Sequence, residues 1–180
     1  IKKEYREYPV QIGLFSATWP AQYKNFTAEV FPEYQFKEVI CQGGVQLKRN
    51  IETYNIPVGV KDKKIMLESF LTKEGKGTGV VFVNRKDDVS FLHKFLKEKF
   101  PKRRMNFLHG GLTQKERREA FREFSDKGGL LIASDNAARG LDIKGLSWVL
   151  NYDLPFEAVY YIRRCGRTGR EGRLGRVYNF

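Results

Sequence analysis

Three short apolar runs without polar alternation constrain the fold more than any other feature: residues 79–83 (GVVFV), 130–133 (LLIA) and 148–150 (WVL). A strand with one face in water alternates apolar and polar residues, so a strand without alternation is covered on both faces. Helical patterns lie between these runs. Val89, Leu92, Phe95 and Leu96 recur at helical spacing, and Thr113 with Glu116 three residues later is a capping box that opens a helix to Phe124. Strands alternating with helices over short connections build a parallel sheet with right-handed crossovers. The expected class is α/β, a mostly parallel sheet flanked by helices.

The same reading predicts a helix over 61–71 with Ile65, Leu67, Phe70 and Leu71 toward the core, strands over 105–108 and 177–180, and a helix over 156–164. Residues 51–57 lead into this domain. Phe91, Phe95 and Phe100 are assigned to core packing because their spacing is helical. Upstream, 10–15 and 36–40 read as strands and 21–31 as a helix stopped before Pro32. Gln42, Gly43 and Gly44 break the pattern. Residues 1–41 are too few to bury a core and are expected to be the tail of a preceding domain, with 42–50 as linker and 51–180 as the main domain. The chain starts without an initiator and stops inside an apparent strand, so it reads as a fragment of something longer.

Ligands of parallel sheets bind at the carboxyl ends of the strands. The polar segments fall there: Asn84-Arg85 after VVFV, His109-Gly110-Gly111 after MNFL, Ser134-Asp135 after LLIA, and Asn151-Tyr152-Asp153 after WVL. Such an edge suits a phosphodiester backbone, because small polar side chains and backbone N–H groups bind phosphates without reading bases.

The net charge of +12 favours a polyanionic partner such as nucleic acid or an anionic membrane. The last thirty residues carry six arginines and no lysine. Lysine would serve solubility as well, so this choice points to forked, bidentate recognition. The densest stretch, 160–170 (YYIRRCGRTGR), sets arginines on a glycine turn at a helix end, which is either a phosphate clamp or a solvated basic turn. No apolar run approaches the roughly 20 residues that span a bilayer, and the N-terminus lacks the apolar core of a signal peptide. Cys41 and Cys165 have no paired spacing, which fits small buried side chains in a reducing compartment inside the cell, cytoplasm or nucleus. The tract EGKGTG at 74–79 lacks the spacing of a phosphate-binding P-loop and precedes a strand, so it reads as a helix-to-strand turn. With no P-loop elsewhere, the chain alone has no complete machinery for hydrolysing a nucleotide.

Taken together, SAT at 16–18, VVFVNRKDDV at 80–89, LHGGLTQKER at 108–117, LIASDNAARGLDI at 131–143 and RRCGRTGR at 163–170 resemble the DEAD-box RNA helicases of superfamily two, in order, spacing and wording. The resemblance covers nearly the whole chain. It implies a RecA-like three-layer domain at 51–180, preceded by the end of another RecA-like domain. It also implies an ATP-dependent enzyme that remodels or locally unwinds RNA, with magnesium and most of the ATP held by the N-terminal RecA-like domain missing here. The fragment is then expected to be inactive alone, with RNA, ATP and that domain as partners and no membrane.

By position, the resemblance makes Arg167 and Arg170 arginine fingers and places Gly140 and Asp142 at the nucleotide. Asn84, Arg85, Gly110, Gln114, Arg117, Ser134 and Asp135 match positions that contact the RNA backbone or support those that do. Ser16, Ala17 and Thr18 match the motif coupling nucleotide state to RNA, and Arg139, Arg163 and Arg164 the residues that link or brace these elements. His93 is expected to be structural, and His109 either packed or an RNA contact. Three positions depart from the family: Arg163 stands where histidine is usual, Ser134 where threonine is commoner, and Glu171 where some members place an aromatic. The rival readings are a non-catalytic RNA-binding scaffold of the same fold and a DNA-translocating relative.

Overall fold

The computed structural model describes residues 12–15, 25–39, 47–138 and 145–180. Ile1–Val45 and Gln46–Phe180 are separate compact units. In the first, Phe26–Val30 forms helix α1, and the Phe31 ring meets Tyr34 edge-on at 6.2 Å and Phe36 at 5.9 Å. The strands expected over 10–15 and 36–40 do not form in their described parts, 12–15 and 36–39. A strand is defined by its ladder, and no described residue of this unit offers one to pair with.

The second unit is a six-stranded sheet. Its strands are β1 (Ile51–Asn55), β2 (Gly79–Val83), β3 (Met105–Leu108), β4 (Leu130–Ser134), β5 (Trp148–Asn151) and β6 (Gly175–Asn179). Its helices are α2 (Lys63–Lys73), α3 (Lys86–Lys99), α4 (Gln114–Lys127), α5 (Asp135–Ala138) and α6 (Ala158–Cys165). The spatial order is β1-β6-β5-β2-β4-β3 and every pairing is parallel. All carboxyl ends therefore share one edge.

The pleat divides the strand residues between two apolar layers. Val81 and Val83 of β2, Leu130 and Ile132 of β4, and Trp148 and Leu150 of β5 pack with Leu67, Phe70 and Leu71 of α2 and Val89, Leu92 and Leu96 of α3. The intervening Val80, Phe82, Leu131, Ala133 and Val149 pack on the other face with Phe124 of α4 and Cys165 of α6. This is the doubly covered sheet that the unalternating runs require. The capping box forms as expected: Glu116 N donates to Thr113 Oγ1 at 3.3 Å and Thr113 N to Glu116 Oε2 at 2.7 Å.

Several details differ from the sequence reading: the helix expected over 61–71 lies at Lys63–Lys73 and the strand expected over 177–180 at Gly175–Asn179. Ile65 is 68% and Phe91 53% exposed, because α2 and α3 each bury one stripe only and these residues lie outside it; Phe91 carries the Lys64 ammonium 5.2 Å above its ring. The lead-in at 51–57 contains an edge strand whose last four residues are exposed, leaving no apolar run to announce it. The last helix starts at Ala158, two residues after the expected 156.

His93 packs 4.6 Å from the Phe107 ring. Burial lowers its pKa, the bond to the Met105 backbone opposes this, and Lys97 adds to the lowering. In the unfolded chain the imidazole takes a proton near its ordinary pKa of about 6.5, whereas the folded chain resists until the pH is lower. Stability is expected to be full above that pH and to decline as the pH falls below it. Urea midpoints measured against pH should show this decline, and His93→Gln should flatten it. A second expectation concerns Gly79, where an added Cβ would lie 2.1 Å from the Trp148 ring. Gly79→Ala should lower the urea-unfolding free energy by about 1–3 kcal/mol, and an unchanged midpoint would show that β2 and β5 can separate.

Candidate functional site

The connection after β2 runs toward the β3 edge of the sheet and the connection after β5 toward the β1 edge, although β2 and β5 are neighbours. A crevice opens where adjacent connections diverge in this way. Into it comes the Arg164 side chain from α6, 1% exposed. Its Nε and Nη2 donate to the two Asp135 carboxylate oxygens at 2.7 and 2.6 Å, a bidentate fork. Nη2 also donates to Asn84 Oδ1 at 2.8 Å, and Nη1 to the Asp153 carbonyl at 2.6 Å and Asn151 Oδ1 at 3.3 Å. The guanidinium lies 5.2 Å from the Phe82 ring centre. One cation thus ties together the ends of β2, β4 and β5.

The network continues along the sheet. Asn151 donates to Asn179 Oδ1 at 2.8 Å, and Asn179 to Asn55 Oδ1 at 2.7 Å and Tyr161 OH at 3.0 Å. These three asparagines are register partners on β5, β6 and β1. On the crevice's other flank, Lys63 Nζ donates to Asp153 Oδ1 at 2.9 Å and to the Tyr152 carbonyl at 2.7 Å, while Asn84 donates through Nδ2 to the Leu154 carbonyl at 2.9 Å. Burial, with Asp153 adding to it, pushes the Tyr152 phenol up to about 12, so it stays protonated.

Above this network lies an open groove of about 410 Å³. Of the seven residues matched to RNA positions, Asn84, Gly110, Ser134 and Asp135 line it. Arg85, Gln114 and Arg117 are not among its lining residues. Arg85 is the exposed N-cap of α3 and Gln114 the exposed first residue of α4. Arg117 reaches from α4 to donate to the Ala137 carbonyl of α5 at 3.0 Å. His109 accepts from Gly111 N through Nδ1 at 3.1 Å, and its Nε2 lies 3.3 Å from Ser90 Oγ, so the ring holds the glycine turn that carries Gly110.

Arg167 and Arg170 sit in the turn between α6 and β6. Gly169 has φ +65°, and a side chain there would also strike Ile51 at 2.8 Å, so the turn needs glycine. Asn50 Nδ2 donates to the Gly169 carbonyl at 2.9 Å and also to that of Arg173, Thr168 Oγ1 donates to the Leu146 carbonyl at 2.8 Å, and Arg170 Nε donates to the Gly166 carbonyl at 3.1 Å. The two arginines thus stand on a fixed mount, and both line a small cavity of about 20 Å³ with Gly145 and Leu146. The Arg163 guanidinium lies 5.7 Å from the Tyr160 ring centre. Ser16, Ala17, Thr18, Arg139, Gly140 and Asp142 lie outside the described residues.

Residues 62–172 match the helicase conserved C-terminal domain family. The chain belongs to that family, as a DEAD-box C-terminal domain. It is 36% identical over 172 residues to ATP-dependent RNA helicase vasa of Drosophila melanogaster, covering 94% of this chain and 25% of that protein. It is 35% identical over 169 residues to DEAD-box ATP-dependent RNA helicase CshB of Bacillus subtilis, covering 93% and 38%. Among solved structures, S. cerevisiae Dbp5 bound to RNA and ADP BeF3 superposes with a TM-score of 0.75 at 30% identity, over 92% of this chain and 44% of that one. A DEAD box protein from the hyperthermophile Methanococcus jannaschii gives 0.67 at 31% identity, over 92% and 43%. The chain spans about a quarter to two-fifths of the curated relatives' length. The RecA-like fold expected from the motifs is the observed one.

The sequence places Asn151 and Asp153 at the strand-end edge without a role for either, and does not point to Lys63, Lys86, Phe156 or Tyr160. The triplet Asn151-Tyr152-Asp153 at a strand end was a signal for the first two; nothing in the sequence connects Lys63 with Asp153, ninety positions on.

Removing the Arg164 side chain would leave the Asp135 carboxylate and Asn84 carbonyl facing each other without their donor. Arg164→Ala is expected to cost about 3–5 kcal/mol in urea unfolding. Arg164→Lys should recover only part, because an ammonium cannot fork. A loss below about 1 kcal/mol for the alanine variant would show that water replaces the guanidinium.

Proposed function

We propose that this domain is the C-terminal half of an ATP-dependent RNA helicase that grips one RNA strand by its backbone and supplies Arg167 and Arg170 to ATP bound on a partner domain in the same protein. The observation that carries the reading is the groove in which Asn84, Gly110, Ser134 and Asp135 meet. The amide, hydroxyl and backbone N–H groups of Asn84, Ser134 and Gly110 suit phosphate oxygens, and the surplus positive charge draws a polyanion toward them. The Arg164–Asp135 pair bears on the chemistry of the groove too, since a carboxylate consumed by a buried arginine repels phosphate far less than a free one. The names of the relatives, all ATP-dependent RNA helicases, and the RNA-bound neighbour support RNA over DNA.

The residues present fit a nucleotide's phosphates. Arg167 and Arg170 are two guanidinium groups on a glycine turn that backbone bonds hold still. When bound with RNA, ATP would close the two domains on each other, and it supplies the phosphoryl group that is transferred. Arg167 and Arg170 then donate to its terminal oxygens, stabilising the charge that builds up there. Gly140 and Asp142 are proposed to meet the nucleotide's ribose side, Ser16, Ala17 and Thr18 to relay its state, and Arg139 and Arg163 to brace the closed form. Magnesium is proposed to be held with most of the ATP by the partner domain. Residues 1–41 are proposed as the end of that domain and 42–50 as the linker. Cys165 is a buried thiol pushed up to about 11 by burial, and a compartment of cytoplasm or nucleus is proposed.

In the full-length protein, Arg167→Ala or Arg170→Ala should lower RNA-stimulated ATP turnover about a thousandfold while RNA affinity without nucleotide stays near the parent's. The isolated chain should show no turnover. Affinity for single-stranded RNA should fall steeply with salt, with little dependence on sequence. Unchanged turnover in both arginine variants would remove the finger assignment, and salt-insensitive binding would remove the backbone grip.

A further inference from the structure

The polar floor of the groove faces a lip made by Pro155, Phe156 and Glu157, with Tyr160 one helical turn further on. Phe156 is 96% exposed. A benzyl side chain so placed contributes almost nothing to the core, yet it lines the groove that the proposed function gives to the RNA backbone. The backbone that leads to it is also held. Arg164 Nη1 holds the Asp153 carbonyl at 2.6 Å, Asn84 Nδ2 holds the Leu154 carbonyl at 2.9 Å, and Pro155 restricts the next torsion. The neighbouring Tyr160 ring already carries a guanidinium, that of Arg163 at 5.7 Å, so Phe156 is the ring the lip offers to a ligand.

We propose that Phe156 is a stacking platform for one unpaired base of the RNA strand whose backbone lies in this groove. The inference rests on the backbone reading above and adds to it a contact with a nucleobase. The chemistry is that of single-strand binders, in which a charged or polar track follows the phosphates while an aromatic ring takes a base face. Here Asn84, Gly110 and Ser134 offer donors to the groove, Lys86 adds a cation, and the Phe156 ring lines the same groove. A protein partner would instead favour an apolar pocket around such an anchor, whereas the groove lining, apart from Pro155 and Tyr160 beside Phe156, is mostly polar. Every base has a π-face, so the contact is sequence-tolerant and confined to one nucleotide position.

The test uses the full-length protein and a single-stranded RNA in which one abasic residue is walked along the strand, with binding read by fluorescence anisotropy. For the parent, one position in the walk should weaken binding about tenfold while its neighbours have little effect. Phe156→Ala should bind the intact RNA about tenfold more weakly and show no sensitive position. Phe156→Leu should behave like the alanine variant and Phe156→Trp like the parent, which separates stacking from simple apolar contact. Because the side chain is exposed, none of these changes disturbs folding. A Phe156→Ala protein with the parent's affinity and walk profile overturns the proposal. So does a parent that ignores every abasic position yet keeps its steep salt dependence, an outcome that leaves the backbone grip standing. A parent that does not bind RNA at all overturns both.

Discussion

A buried guanidinium holds the working edge of this domain together. Arg164 sits where the connections after β2 and β5 diverge, and its donors reach Asn84, Asp135, Asn151 and the Asp153 carbonyl. Placing a permanent cation at 1% exposure is costly unless its donors are met, and the Asp135 fork with the surrounding carbonyl oxygens meets them. The side chains involved come from three strand ends and α6, so this part of the edge is held as a unit. Asp135, which by sequence looks like an acid on a surface meant for phosphates, is in the folded protein half of an ion pair.

The sheet supplies the frame for that edge. Parallel strands send all their carboxyl ends the same way, and apolar residues on both faces of each central strand leave the polar ones nowhere but the ends. The asparagine ladder is the exception that fits the rule. Asn151, Asn179 and Asn55 lie at the last positions of adjacent strands, where register brings the amides into reach of each other. The arginine turn is built differently. It hangs between α6 and β6, held by Asn50 and Thr168 and shaped by Gly169 in the left-handed region. This gives Arg167 and Arg170 a backbone turn whose shape is fixed.

Much of the fold was legible because its signals are local. Unalternating runs mark doubly covered strands, and the Thr113–Glu116 box marks a helix start, since both depend on residues a few positions apart. Where burial depends on the neighbours of a helix, the reading failed: Ile65 and Phe91 look like core residues in a periodic pattern but face water. The edge strand β1 was similarly hidden, because a strand covered by little has no reason to be apolar. At the site, the motif positions Asn84, Gly110, Ser134 and Asp135 converge in one groove, while Arg117 turns to the Ala137 carbonyl and Gln114 stays on the helix surface.

By itself the sequence determined the class of the fold, the family, and which strand ends carry the polar groups, because each is written in short spacings that local chemistry enforces. Which of those groups face a ligand and which are spent on each other was decided by tertiary structure. Arg164 meets Asn84 across eighty positions, Lys63 meets Asp153 across ninety, and Phe156 joins a groove whose floor comes from β2 and β4. No local pattern encodes such meetings, since they exist only once the parallel sheet has set its strands side by side.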